Sequence, residues 1–309
     1  MARYKSGPSF QVQSISLRAV ASLVLMAIAL PSLAGGDTLD RIRSERRIVM
    51  GVRESAVPFS FLDDQKKPTG YAVDLCLRAV DEIRRELKMP DLKIEYKLVT
   101  GPERIPKLVN GEIDLECGST TNTKSRQELV AFSYSYFVAS MRVLTSKSLT
   151  IDSIKDLSGM DIALSKGTTS EKLFDQLTHG ELHAKTRVFS NNSEAYQALK
   201  SGQVKAFPQD DSLLLGLAAK DHATDVLGVS NLALSVEPYG VMVRKDDRAL
   251  LALVDRSLAR TFSSGDIFAI YSKWFDRDSL KIPLSRLTLD GFRRPNKEPG
   301  IAVLLGYSL

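Results

Sequence analysis

Apolar and polar positions along this chain follow two alternating periods. The run "RIVMGVR" (47–53) predicts a strand, and "VDLCLRAVDEIRREL" (73–87) predicts a helix with Val73, Cys76, Val80, Ile83 and Leu87 on one stripe and its charges elsewhere. Next, "KIEYKLV" (93–99) reads as a strand, "RIPKLVNG" (104–111) as a short helix ending at Gly111, and "EIDLEC" (112–117) as a strand. The alternation resumes with "DIALS" (161–165), a helix from Thr169, "TRVFS" (186–190), a helix through "SEAYQALKSG" (193–202) and "QVKAF" (203–207). Near the end, "YGVMVRK" (239–245) predicts a strand, and "RALLALVDRSLARTFSSG" (248–265) and "IFAIYSKWF" (267–275) predict helices. Strands alternating with helices predict an α/β architecture with mainly parallel sheets. No low-complexity linker separates the β/α units, so two such units would sit close together and could enclose a cleft.

Composition agrees: 309 residues, 43% hydrophobic and 26% charged, are globular and sufficient for two domains. The N-terminus departs from this. Residues 1 to 18 carry Arg3, Lys5 and Arg18 and no acid, and Ala19 to Leu30 is an uninterrupted apolar run. That run is shorter than the roughly 18 residues a membrane span requires. "PSLAGG" follows, with Ser32 and Ala34 placed for cleavage after Ala34. An exported protein with residues 1–34 removed is expected, in preference to an uncleaved anchor. Without that segment the chain has 39 basic and 37 acidic residues, and no run of Lys and Arg supports nucleic-acid binding. Cys76 and Cys117 are the only cysteines. Export permits a disulfide between them, while their apolar surroundings suit two buried free thiols equally well. Three His without metal-ligand spacing give no basis for a zinc site.

Two polar stretches follow strands. In "ECGSTTNTKSRQELVAFS" (116–133), Ser125 and Glu128 fit the S-x-x-E capping box of a helix start, with Ser119, Thr121 and Arg126 beside it. Unpaired N–H groups at a helix N-terminus attract anions, and an arginine adds a planar fork matched to a carboxylate. In "SKGTTSE" (165–171), Thr168 and Glu171 repeat the pattern, and Gly167 lets the backbone approach a ligand. Most capped helices bind nothing, so either stretch alone is a structural cap. Asp210 begins a helix, where an Asp is ordinarily a cap or a dipole partner. However, Arg53, Ser119, Thr121, Thr168, Thr169 and Asp210 all fall just beyond the carboxyl ends of predicted strands, where open α/β sheets bind ligands.

Together these motifs resemble the periplasmic solute-binding proteins of amino-acid ABC transporters, and most of all the glutamate/aspartate-binding group. The resemblance covers nearly all of residues 37 to 290 and is carried by "GVRESAVPFSFLDD" (51–64), "GYAVDL" (70–75), "RIPKLVNGEIDLECGSTTNTKSRQ" (104–127), "SKGTTSE" (165–171), "AFPQDDSLL" (206–214) and "YGVMVRKDD" (239–247). It implies a type II periplasmic-binding-protein fold: two α/β lobes, 35–140 plus 239–295 and 141–238, joined by crossover strands near Ala139–Val143 and Glu237–Val241. By the same resemblance, Arg126 pairs with the ligand α-carboxylate. Ser119, Thr121 and Thr169, with neighbouring Thr168, hydrogen-bond around the carboxylate and ammonium, and Asp210 holds the ammonium. Arg53 and Arg104 read a side-chain carboxylate. Two positions depart from the pattern: Gly101 stands where the group has Ser, and Asn192 where it has His in the second lobe. The segment from Leu284, including a tail at 296–309, matches poorly and has no reading.

The resemblance therefore implies an exported, monomeric binding protein without chemistry or cofactor. It would capture an acidic amino acid by closing its lobes and deliver it to an inner-membrane ABC permease. The alternatives are a binding protein for another polar amino acid, a periplasmic dehydratase-like enzyme on the same fold, and a receptor's sensing domain. No Ser–His–Asp set or unassigned His motif supports an enzyme, and no second hydrophobic span supports a receptor.

Overall fold

The computed structural model describes residues 38–180, 182–277 and 279–303, with residues 1–3 and 7 and the backbone of 307 and 308. The apolar run and cleavage pattern expected to direct export lie outside the described residues. Residues 37–309 form one compact unit.

After helix α1 (Thr38–Glu45), strand β1 (Arg47–Val52) leads into a small sheet of β2 (Ser55–Ala56), β3 (Ser60–Leu62) and β4 (Pro68–Thr69). Helix α2 (Tyr71–Leu87), β5 (Lys93–Leu98), α3 (Arg104–Val109), β6 (Leu115–Cys117), α4 (Lys124–Gln127) and β7 (Val130–Phe132) follow. Strand β8 (Phe137–Ala139) then passes through the single residue Ser140 into β9 (Met141–Ser146). Next come β10 (Asp161–Ser165), α5 (Thr169–His179), β11 (Lys185–Phe189), α6 (Asn192–Lys200), β12 (Phe207–Asp210), α7 (Asp211–Lys220) and β13 (Leu227–Val229). The chain finishes with β14 (Ser235–Tyr239), β15 (Met242–Arg244), α8 (Arg248–Ser263), α9 (Asp266–Phe275), the hairpin β16 (Asp276–Arg277) and β17 (Leu280–Lys281), α10 (Arg286–Arg293), β18 (Ile301–Ala302) and β19 (Tyr307–Ser308).

These elements build two α/β lobes with the same strand plan. The first sheet has the order β5-β1-β6-β15-β7, with β5, β1 and β6 parallel and β15 antiparallel to its neighbours. In the second lobe β11 and β10 are parallel, a parallel bridge joins Ile162 to Ala206 just before β12, and β9 lies antiparallel between β12 and β13. The second lobe thus repeats the first as β11-β10-β12-β9-β13. The sheets are mixed, because each contains one strand that returns from the other lobe's side. Helix α2 buries Val73, Cys76, Val80, Ile83 and Leu87, the stripe read from the sequence, and the main core also takes in α8 and α9. A second set of apolar residues around Met141, Leu164, Phe174 and Leu234 forms the other lobe's core.

Four buried rings, Phe59, Tyr71, Phe137 and Phe275, pack with Tyr239 at the base of the cleft, with Phe59 and Tyr239 centroids 5.1 Å apart. Cys76 and Cys117 are joined, tying α2 to the end of β6 across a separation of 41 residues. Of the two states the sequence allowed, the structure has the disulfide.

The C-terminal segment, without a reading in the sequence, is part of the architecture. Ser135 N–H donates to Asn296 O at 3.0 Å, and Asn122 Nδ2 donates to Lys297 O at 2.9 Å. Gly300 N–H returns a bond to Asn122 O at 2.8 Å, after which β18 pairs with β14 through Ser235↔Ala302 and Val236↔Ile301. Ala302 is buried in the core that holds Met141 and Leu234. The segment straps residues of the first sheet's loops to the core of the second lobe.

Candidate functional site

The six parallel strands of the two sheets all point their carboxyl ends at one cavity. In the first lobe β5 leads to Arg104, β1 to Arg53, and β6 to Ser119, Thr121 and Arg126. In the second, β10 leads to Thr168 and Thr169, β11 to Asn192, and β12 to Gln209 and Asp210. All nine residues singled out from the sequence line this cavity, joined by Gln209 and Leu213. Strand ends leave N–H and C=O groups and loop side chains free to face a ligand, which is why two sheets meeting end-on make a site there.

Three guanidinium groups converge. Arg53 is 6% and Arg104 3% exposed, and Arg126 is half-buried. Arg104 Nη1 donates to Thr120 Oγ1 at 2.9 Å and Arg126 Nη1 to Thr121 O at 2.9 Å. Both also reach across to the second lobe at Gly167 O, at 3.1 Å from Arg104 Nη2 and 3.3 Å from Arg126 Nη2. The Arg53 guanidinium has no protein hydrogen-bond partner among the described residues; only its backbone N–H is bonded, to Ser60 Oγ at 2.9 Å. Burial, and next the charge of Arg104, lower Arg53 to about 10 and Arg126 to about 9. Burial lowers Arg104 as well. Burial and mutual repulsion outweigh the nearby carboxylates of Glu116, Glu237 and Asp210, so the cationic forms are disfavoured.

The opposing charges are also buried. Asp210 occupies the N-cap position of α7 but makes no capping bond, so its carboxylate does not serve as a cap. Its Oδ2 accepts from the Tyr239 hydroxyl, and its Oδ1 is buried without a partner. Glu237, on β14, accepts from Ser235 Oγ at 2.6 Å and from Thr169 Oγ1 at 3.0 Å. Glu116 accepts from Thr120 Oγ1 at 2.7 Å, completing a relay from Arg104. Burial first, and then the charge of Glu237, push Asp210 well above the usual carboxylate range, and burial raises Glu237. A carboxylate oxygen left unpartnered, beside a threonine that gives its proton to Glu237, is an acceptor corner suited to an ammonium group. The three guanidiniums form a donor corner suited to carboxylates.

Two local expectations need correction. The cap of α4 is Thr123, whose Oγ1 accepts from Arg126 N–H at 3.2 Å, and not Ser125. The helix is a single turn, and starting it two residues earlier anchors the backbone of Arg126 directly. Thr168 does cap α5, accepting from Glu171 N–H at 3.2 Å, but Glu171 Oε2 accepts from Gly167 N–H at 2.6 Å instead of from the Thr168 N–H. That bond turns Gly167 O toward the arginines.

Gly101 also finds a reason. A Cβ there would lie 2.3 Å from Lys166 O, and one on Gly167 would lie 2.6 Å from Gly101 C. The lobes touch backbone to backbone at this point, with Gly167 at φ 75°, which leaves no room for a serine side chain. Glu116, Thr120, Gln209, Glu237 and Tyr239 escaped the sequence reading. For Glu237 the available signal was a lone acid inside an apolar strand; Glu116 shared its predicted strand with Glu112 and Asp114 and did not stand out, and Gln209 and Tyr239 carried no signal.

Comparison with known proteins bears on the family and the fold. A family model described as bacterial extracellular solute-binding proteins, family 3, matches residues 48–277. An L-glutamate/L-aspartate-binding protein of Pseudomonas aeruginosa is 38% identical over 263 residues, 84% of this chain and 86% of the relative. A glutamate/aspartate import solute-binding protein of Escherichia coli is 39% identical over 244 residues, 78% of this chain and 80% of the relative. Among solved structures, a mutant of the arginine-binding protein of T. maritima has a TM-score of 0.69 at 28% identity, covering 77% of this chain and 99% of that one. An ancestral amino acid-binding protein, described as a precursor of cyclohexadienyl dehydratase, has a TM-score of 0.67 at 31% identity, with 77% and 99% covered.

Proposed function

The chain belongs to the bacterial extracellular solute-binding proteins of family 3, and from that premise we propose that it captures L-glutamate or L-aspartate between its lobes for delivery to an ABC-transporter permease. One observation carries the acidic preference: the buried Arg53 guanidinium has no protein partner among the described residues, although Arg104 and Arg126 each have two. A dicarboxylic amino acid brings two carboxylates and one ammonium. Arg126 takes the α-carboxylate, Asp210 Oδ1 with Thr121 and Thr169 takes the ammonium, and Arg53 with Arg104 takes the side-chain carboxylate, with Ser119, Thr168 and Asn192 completing the walls.

The lobes, 35–140 with 239–295 and 141–238, open about the crossings near Ser140 and Glu237. Ligand bridging them favours the closed state by its differential affinity. The closed arrangement has its own contacts at Gly167 O, ready to be reinforced when an anion draws the arginines together. A micromolar affinity corresponds to roughly −8 kcal/mol, within reach of several charge-assisted contacts. Removal of residues 1–34 would leave the mature protein in the periplasm as a monomer. Its proposed role is binding without chemistry, in keeping with named relatives that are themselves binding proteins.

A thermal-shift screen of the twenty L-amino acids tests this. The largest stabilisation is expected from glutamate or aspartate. A larger shift from a neutral or basic amino acid would overturn the assignment.

A further inference from the structure

Gln209 carries no charge and was given no role in the sequence, yet it is 1% exposed and lines the cavity beside Asn192. Its orientation is dictated by the backbone. An N–H group only donates, so the Asp210 N–H, 3.0 Å away, requires Oε1 of Gln209 to face it. The other end of the amide is then Nε2, which donates to Asn192 Oδ1 at 3.1 Å. Both carbonyl oxygens of this amide pair are thereby used inside the protein. Asn192 is 3% exposed, and its Nδ2, which has no protein partner among the described residues, is the group left for the cavity.

This wall therefore offers N–H donors and no amide carbonyl. A ligand oxygen is satisfied there. A ligand amide N–H2 meets another donor and loses its hydrogen bonds to water without replacement, the case in which a buried polar site discriminates most sharply. We infer that Gln209 is a positioning residue that locks Asn192 as a donor, and that the pair sets a preference for a dicarboxylic amino acid over its amide. The inference rests on the amino-acid site proposed above.

The test is titration calorimetry of wild type and Q209M with four ligands: glutamate, glutamine, aspartate and asparagine. Met keeps the length of the side chain and removes the lock, so the Asn192 amide is free to turn and present Oδ1. The acid-over-amide affinity ratio is expected to fall roughly tenfold, the worth of one neutral hydrogen bond made or left unmet. In an N192A background the same substitution should leave the ratio unchanged, because the group it acts on is gone. Thermal melting of the ligand-free variants checks folding. Should Q209M not fold, Q209L serves in its place: it removes both amide contacts without adding charge, so Asn192 is released and the ratio falls as well. A ratio within twofold of wild type, or an equal ratio change in the N192A background, overturns the inference. A wild-type protein that binds none of the four overturns the functional assignment itself, which is a separate failure.

Discussion

Replacing Gly101 by alanine tests whether closure of the lobes contributes directly to binding. The new Cβ would lie 2.3 Å from Lys166 O, a backbone atom that no side-chain rotation can move away. Restoring ordinary contact requires the β10–α5 loop to retreat by about 1 Å. Such a retreat stretches the bonds from Arg104 Nη2 and Arg126 Nη2 to Gly167 O, now 3.1 and 3.3 Å. Hydrogen bonds to charged groups contribute about 1.5–3 kcal/mol each, and losing part of both costs about 2–3 kcal/mol. The expected result is a Kd for L-glutamate weakened roughly 30- to 150-fold. The ligand-free protein is expected to keep its Tm, since the opening proposed above would separate Gly101 from Lys166. Calorimetric titration of G101A beside wild type decides the matter. An affinity within threefold of wild type would refute the claim that the backbone contact at Gly101 limits closure.

Further expectations follow from the same geometry. Arg126→Ala should abolish binding of every amino acid, because it removes the anchor for the common α-carboxylate; loss of only one ligand in calorimetry would put Arg126 in the wrong role. Arg53→Ala should weaken acidic ligands far more than their amides, and unchanged selectivity would remove it from the side-chain subsite. Asp210 and Glu237 are raised above their ordinary carboxylate values, chiefly by burial. Their contribution to the stability of the empty protein is present at acid pH and lost as pH rises through the raised values. Ammonium binding needs Asp210 ionised, so affinity should rise over that window, with protons released on binding in buffers of differing ionisation enthalpy. Asp210→Asn should flatten the pH profile. Opening the Cys76–Cys117 link, which spans 41 residues, should lower stability by about 4 kcal/mol on the chain-entropy account, read as a fall in Tm on reduction.

How much of this was legible in the sequence depended on whether the signal was local. Period-2 and period-3.6 patterns are local, so the stripe of α2 and the β/α order could be read directly. The strand-end rule then collected Arg53, Ser119, Thr168 and Asp210 without any knowledge of which strands were neighbours. Gln209 and Glu237 were hidden because their roles depend on partners far away in the chain, such as Asn192 for Gln209 and Thr169 for Glu237. The absence of a side chain at Gly101 read as a missing ligand group; only the approach of Lys166 from the other lobe gives it a purpose. The strap at 296–303 lacked a hydrophobic period because it is held mostly by backbone bonds to Asn122, Leu234 and β14, and these depend little on side-chain pattern.

In the proposed site two buried arginines, the half-buried Arg126 and one unpartnered aspartate oxygen hold an amino acid with two carboxylates. Calorimetric titration of the ligand-free protein with L-glutamate, L-aspartate, L-glutamine and L-arginine tests it most directly. One site per chain is expected, filled at micromolar concentration or below by glutamate or aspartate and much more weakly by glutamine and arginine. Tighter binding of glutamine or arginine than of both acids would contradict it.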